Sequence, residues 1–305
     1  MIWEKLGKVF TPPRDRAWMN SHAQVPFVIN MGDYVRIFFS TRSVQDNKNQ
    51  FKSYSAYVDI NPRKNWEIIK ISSNPILELG GLGEFDEFGI MAGSIVKKDT
   101  DYLLYYCGWQ RLQAVPYNWT IGLAMSSDLS QFKKVSCGPI IGPRINEPFL
   151  HACPIVYEVK NGFEMYLLTG DKWIKDKSGK LESVYTLKRS YSEDGINWSP
   201  VSGALLEPKS KYECQTSCSI FEYNSKQVMI FSYRSGLNFR TSRQHSYKLG
   251  YAELKNGKWV RLDDEFQFKS KKNGNSNNGS DQRTKALAKM ISSNEILTLI
   301  NALGL

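Results

Sequence analysis

Four stretches of this chain repeat nearly the same text at a nearly constant interval, and that repeat constrains the fold more than any other feature. Each unit opens on an apolar strand that starts at a small or proline-bearing segment: VPFVIN (25–30), GSIVKK (93–98), CPIVYE (153–158) and CSIFEY (218–223). About ten residues later comes an aromatic, apolar strand that ends in a polar cluster: RIFFSTR (36–42), YLLYYCGW (102–109), FEMYLLTGDKW (163–173) and QVMIFSYR (227–234). A further strand, a turn and an aromatic residue close each unit. The closing residues Trp66, Phe132, Trp198 and Trp259 stand 66, 66 and 61 residues apart. A fixed period with several strands per unit is the mark of a radial β array.

Composition agrees with one all-β body. At 305 residues and 41% hydrophobic content, the chain has ample material for a core. It has no apolar run of 18 residues, so no membrane span is expected, and MIWEKLGKVF lacks the long apolar stretch of a secretory signal. The five cysteines (107, 137, 153, 214, 218) show no paired metal spacing. Reduced thiols in a cytoplasmic protein are the plain reading, with no cofactor expected. A net charge of +10 invites an anionic partner. The basic residues form no stripe and no recognised nucleic-acid module, so a phosphate-bearing or acidic sugar accounts for the charge at least as well.

The S-x-D-(G)-x-x-(W/F) pattern at 126–132 and 192–198 has a local cause. Asp128 and Asp194 build tight turns, and the aromatic that follows packs between neighbouring sheets. Domain boundaries follow from composition: a β domain over 1–264, a polar low-complexity linker over 265–284, and a tail over 285–305. In the tail, Leu287, Met290, Ile291, Ile296 and Ile300 follow helical spacing and predict a short helix. The stretch KMISSNEILTLINALG (289–304) resembles a segment of the ATPase-bearing subunits of type II topoisomerases. Nothing else in the chain does, so the tail is read as foreign or truncated sequence.

If the units are propeller blades, the polar residues just ahead of each opening strand converge on one mouth. Those positions hold His22 and Gln24, then Asp86, then Glu147 and His151, then Glu213. The ends of the second strands add Arg42, Trp109, Asp171 with Trp173, and Arg234, and Tyr117 stands nearby.

The quoted segments resemble the five-bladed β-propeller superfamily of glycoside hydrolases and phosphorylases (families 32, 43, 68 and 130). The matching text is SHAQVPFVI with RIFFSTR, LGEFDEFGIMAGSIV with YLLYYCGWQ and PYNWTIGLAMS, YLLTGDKW, SYSEDGINW and MIFSYRSG. It covers roughly residues 18–262, four blades clear and the fifth incomplete. The resemblance implies a carbohydrate-active enzyme that cleaves or transfers a glycosidic bond. Such cleavage needs one carboxylic acid to protonate the leaving oxygen and a second carboxylate acting from the other side.

Asp86, Glu213 and Glu147 are the candidate catalytic acids. Asp86 follows a Gly-x-Gly-Glu-Phe loop, and Glu213, at the matching place, is the candidate general acid. His22, Gln24, Arg42, Trp109, Tyr117, His151, Asp171, Trp173 and Arg234 are the candidate substrate contacts. Hydrolases of the superfamily place an Asp near the first inner strand, whereas this chain reads Ser21-His22-Ala23-Gln24. That departure leaves two alternatives open: transfer to inorganic phosphate, held by the Arg and His residues, or a catalytically silent propeller that binds a glycan or a partner protein. A structural calcium occurs in some relatives, but no ligand set for one is identifiable here.

Overall fold

The computed structural model describes residues 4–5, 9–263, 287–292 and 295–301. After β1 (Glu4–Lys5), four antiparallel meanders follow. They are β2 (Ser21–Asn30), β3 (Val35–Arg42), β4 (Ser53–Asn61), β5 (Glu67–Ile71); β6 (Gly89–Lys98), β7 (Asp101–Gln110), β8 (Asn118–Ser126), β9 (Lys133–Lys134); β10 (His151–Val159), β11 (Gly162–Lys175), β12 (Leu181–Ser192); and β13 (Glu213–Tyr223), β14 (Lys226–Ser235), β15 (Lys248–Lys255), β16 (Lys258–Arg261). A single bridge between Ser53 and Gly89 joins the first two meanders. Among the described residues the only helix is one 3-10 turn, Arg243–His245, and none is long and apolar enough to cross a membrane. The architecture is a β-propeller, and each meander is a blade.

The second strand of each blade lies between neighbours on both faces, which explains its near-continuous apolar text. β3 is buried over seven of its eight residues, and β7 over its central six. Two of the closing aromatics pack where adjacent blades meet, whereas Trp66 packs into the first blade's own cluster with Val58 and Ile60. Phe132 of the second blade sets its edge on Phe38 of the first at 6.3 Å, and Trp198 of the third meets Tyr105 of the second at 5.8 Å. The Asp turns sit beneath them as expected. Asp194 Oδ1 accepts the backbone N–H groups of Ile196 and Asn197, both at 2.8 Å, and these donors hold its carboxyl far below the usual range.

The innermost strands β2, β6, β10 and β13 share a defect at the same height. Pairing slips between Gln24 and Phe27, Ala92 and Ser94, Ala152 and Ile155, and Thr216 and Cys218. These are β-bulges, and Val25, Cys153 and Ser217 take positive φ there (42°, 51° and 36°). At the matching place in β6 a Cβ on Gly93 would stand 2.6 Å from the carbonyl of Pro154, so only glycine fits. The bulges surround a central cavity of about 280 Å³ lined by apolar side chains, backbone and small polar residues, with no charged side chain on its wall.

The tail differs from the sequence expectation. It forms a hairpin, β17 (Leu287–Ser292) and β18 (Glu295–Asn301), not a helix. β17 pairs with β1, and β18 lies against β2. The apolar positions fit helical spacing, but Ile and Thr favour extended backbone. A sheet edge at β1 is available to pair with it. The expected linker over 265–284 lies outside the described residues.

One buried ion pair ties the first blade to the second. Arg36 Nε and Nη2 donate to Asp59 at 2.7 and 2.8 Å, Nη1 donates to the Leu129 carbonyl at 3.1 Å, and both side chains are about 5% exposed. Removing one partner strands the other charge in the core. Asp59→Ala is therefore expected to cost about 3–5 kcal/mol in denaturant unfolding, while Arg36→Met with Asp59→Leu costs less than either change alone.

Candidate functional site

Each loop that leads into an inner strand is tied to the outer part of its own blade, and three of the four ties use a candidate acid. Asp86 is fully buried. It accepts the Tyr106 hydroxyl at 3.0 Å and pairs with Lys134 of the edge strand β9 at 2.8 Å. Burial and this carboxylate push the Tyr106 phenol far above its ordinary value. Glu147 accepts the backbone N–H of Val201, beyond β12, at 2.9 Å. Glu213 accepts Arg261 of β16 at 2.6 Å, Gln215 Nε2 at 2.9 Å and the Lys209 N–H at 3.2 Å. In the first blade Arg16 does the equivalent job, donating to the carbonyl of Ser72 beyond β5. The structure thus sets Asp86, Glu147 and Glu213 on three separate blades, each with partners of its own blade.

On the third and fourth blades two candidate carboxylates share one space. A cavity of about 270 Å³ is lined by Asp171, Lys172, Thr186, Ser210, Lys211 and Glu213. Asp171 stands at a bulge of β11, partly exposed, 3.3 Å from Lys188. Lys172 and Lys211 both lie over the ring of Tyr212, at 5.4 and 5.3 Å. An aromatic group adjoins it. Tyr117 stacks on Trp119 at 4.5 Å, meets Trp173 edge-on at 5.1 Å and places its hydroxyl 3.0 Å from Ser183 Oγ. Burial pushes the Tyr117 phenol up to about 12.

Arg42 and Arg234 end equivalent strands but have different surroundings. Arg234 is only 4% exposed and braced. Its Nε donates to the hydroxyls of Tyr185 and Tyr247, both at 3.1 Å, and its guanidinium lies 3.7 Å from the centre of the Phe239 ring. Arg42 is half-buried over Phe51 at 5.7 Å, with no acid in ion-pair distance among the described residues, and burial lowers its pKa. Near it, Trp109 packs so tightly on Gly89 that a Cβ there would overlap the indole, whose Nε1 is buried without a partner.

Gln24 is 2% exposed, and its Nε2 is also unpartnered. His22 is exposed, takes φ +66° and holds Nδ1 2.8 Å from Ser21 Oγ. Arg111, Phe51 and Phe88, which the sequence reading did not single out, belong to the same region. Arg111 directly follows β7, at the place Arg42 takes at the end of β3. Among the described residues no group of three or more His, Cys, Asp or Glu could hold a metal ion.

His151 and Glu147 meet in the interior. Glu147 Oε2 lies 3.9 Å from His151 Nε2, neither atom has a hydrogen-bond partner, and His151 is fully buried. Burial pushes the imidazole down to about 4 despite the carboxylate. The unfolded chain takes up this proton near the ordinary value of 6.5, whereas the folded chain does so only near 4. Stability from this group is therefore full above pH 6.5 and falls as pH is lowered through that window, by at most about 3 kcal/mol. Urea unfolding at pH 7 and at pH 4 is expected to show the loss, and His151→Asn to flatten it.

No protein-family model matches the chain. Over 199 residues it is 33% identical to two uncharacterized proteins of Mycobacterium tuberculosis (strains CDC 1551 / Oshkosh and ATCC 25618 / H37Rv). The match takes in 65% of this chain and 64% of theirs, so the chain spans just under two thirds of these curated relatives. Among solved structures, one titled a glycoside hydrolase superposes with a TM-score of 0.63 at 15% identity, over 84% of this chain and 76% of that one. The Bombyx mori GH32 β-fructofuranosidase gives 0.56 at 17% identity, over 82% of this chain and 50% of that one. At such identities the likeness is one of fold: the chain shares the propeller of glycoside hydrolases.

Proposed function

We propose that the chain is a carbohydrate-active protein that cleaves or transfers a glycosidic bond at the mouth where its inner strands begin. The observation that carries this reading is the single cavity in which Asp171 and Glu213, from two blades, stand with Thr186, Ser210, Lys172 and Lys211. Cleaving a glycosidic bond takes two carboxylates, and hydroxyl and ammonium groups beside them suit a polyhydroxylated ligand. Glu213 is fixed by Arg261, Gln215 and the Lys209 N–H, whereas Asp171 reaches solvent and meets an incoming ring first. Tyr212 and the Tyr117–Trp119–Trp173 group supply flat faces alongside. In the same reading the sheet β1–β17–β18 takes the place of a fifth blade, because β18 lies against the inner strand of the first.

A second reading, a propeller that binds a glycan without turning it over, is favoured by the commitment of Asp86, Glu147 and Glu213 to partners in their own blades. One experiment separates the two. Initial rates are measured on a panel of aryl glycosides and oligosaccharides, with and without inorganic phosphate, beside binding by calorimetry. Under the first reading Asp171→Asn and Glu213→Gln each lower kcat/KM by about 10²–10⁴-fold, leave binding within a few fold, and, for Asp171→Asn, leave the melting temperature unchanged. Binding by the parent with no turnover on any member would establish the second reading. Variants that process the panel like the parent would remove the carboxylate pair from the mechanism.

A further inference from the structure

The first and second blades meet the mouth with a set of cations that the carboxylate cavity does not use. Arg42 ends β3, Lys52 precedes β4, and Arg111 follows β7. Two aromatic rings knit them together. Arg42 lies over Phe51 at 5.7 Å, while Arg111 Nη2 donates to the Phe51 carbonyl at 2.6 Å. Arg111 lies over Phe88 at 4.3 Å, and Lys52 over the same ring at 5.8 Å. Arg111 is further held by Gln50 and feels Asp46 and Glu87. Asp46 spends one carboxylate oxygen on the N–H groups of Lys48 and Gln50, and Glu87 spends one on the N–H of Gly83.

Arg42 has no such counter-charge. A guanidinium that gives up water without gaining an acid is costly unless a ligand supplies the anion. Burial lowers the pKa of both Arg42 and Arg111, in keeping with a site short of negative charge. The phenylalanine rings beside the cations lower the local polarity, which strengthens any charge-assisted hydrogen bond made there. The planar fork of Arg42 matches the two oxygens of a carboxylate or a phosphate. On the same blades, the buried donors Trp109 Nε1 and Gln24 Nε2 also lack partners.

We propose that Arg42, with Arg111 and Lys52 around it, forms an anion subsite, so that the glycan taken at this mouth carries a carboxylate or a phosphate ester. The inference rests on the glycan reading above and names its substrate class. A neutral sugar would leave Arg42 desolvated and unpaired, and the mouth would discriminate against it. Lys52 is exposed and acts through its field, while Arg42 makes the direct contact.

The test is calorimetric binding of hexuronate oligosaccharides, their carboxyl-reduced neutral counterparts, hexose phosphates and inorganic phosphate to the parent, Arg42→Gln, Arg42→Lys and Arg111→Gln. Melting temperatures are recorded for each variant. The parent is expected to prefer an acidic member over its neutral counterpart. Arg42→Gln should lose about 10- to 100-fold for that member and change little for the neutral one. Arg42→Lys keeps the charge but not the fork and should fall between. The uronate and phosphate arms tell which anion the subsite takes.

Equal binding of acidic and neutral sugars, or a preference that survives Arg42→Gln, overturns the subsite and leaves the glycan reading standing. Binding of phosphate or hexose phosphate that depends on Arg42, with no oligosaccharide bound, upholds the subsite and overturns the glycan reading. No binding that depends on Arg42 to any probe overturns the subsite.

Discussion

The free edge of each inner strand is the constraint on which the rest of this structure depends. A sheet edge that turns toward a central channel presents backbone N–H groups with no strand beyond them, and buried groups of that kind must find partners. Here the preceding blade provides them. Ser55 Oγ accepts from Ala92 N at 2.9 Å and donates to the Ile90 carbonyl at 3.0 Å. Ser94 Oγ accepts from Val156 N at 3.0 Å, and the Tyr157 hydroxyl accepts from Ile220 N at 2.9 Å. Each side chain serves the bulged strand that follows it. The bulges, the small residues at them and the spacing of the blades are consequences of one need, to pack blade after blade without stranding an amide.

That packing makes the mouth two-sided. On one side the first and second blades bring cations backed by phenylalanine rings. On the other the third and fourth blades bring carboxylates, lysines and the Tyr117–Trp119–Trp173 group. Under the proposed glycan reading, an anionic ligand spanning the mouth would meet unpaired positive charge on the first side and a mixed field on the second, which would orient it.

Repeats and strands were readable in the sequence because their cause is local. Alternation, turn chemistry and the closing aromatics all act within a few residues, and Phe132 and Trp198 pack where that logic puts them. The site was less legible because its decisive partners are remote. FSTR and FSYR read alike, yet Arg234 is enclosed by Tyr185, Phe239 and Tyr247, while Arg42 has only the Phe51 ring. Asp86 stands three residues ahead of β6 and Glu213 opens β13, but Lys134 and Arg261, which hold them, stand 48 residues further along in each case. The tail shows the same limit: its helical spacing says nothing about the edge of β1, with which it pairs.

The ties between loop and outer strand have an evolutionary side. Arg16, Asp86 and Glu147 grip the outer part of their blades, and Glu213 does the same through Arg261 while also lining the cavity with Asp171. In the first three blades anchor and recognition surface are therefore separate residues, whereas in the fourth Glu213 is both. One set is answerable only to its own blade and can be inherited unchanged. The other is free to drift with whatever the mouth is asked to hold, so a single frame can pass through many ligands without being rebuilt.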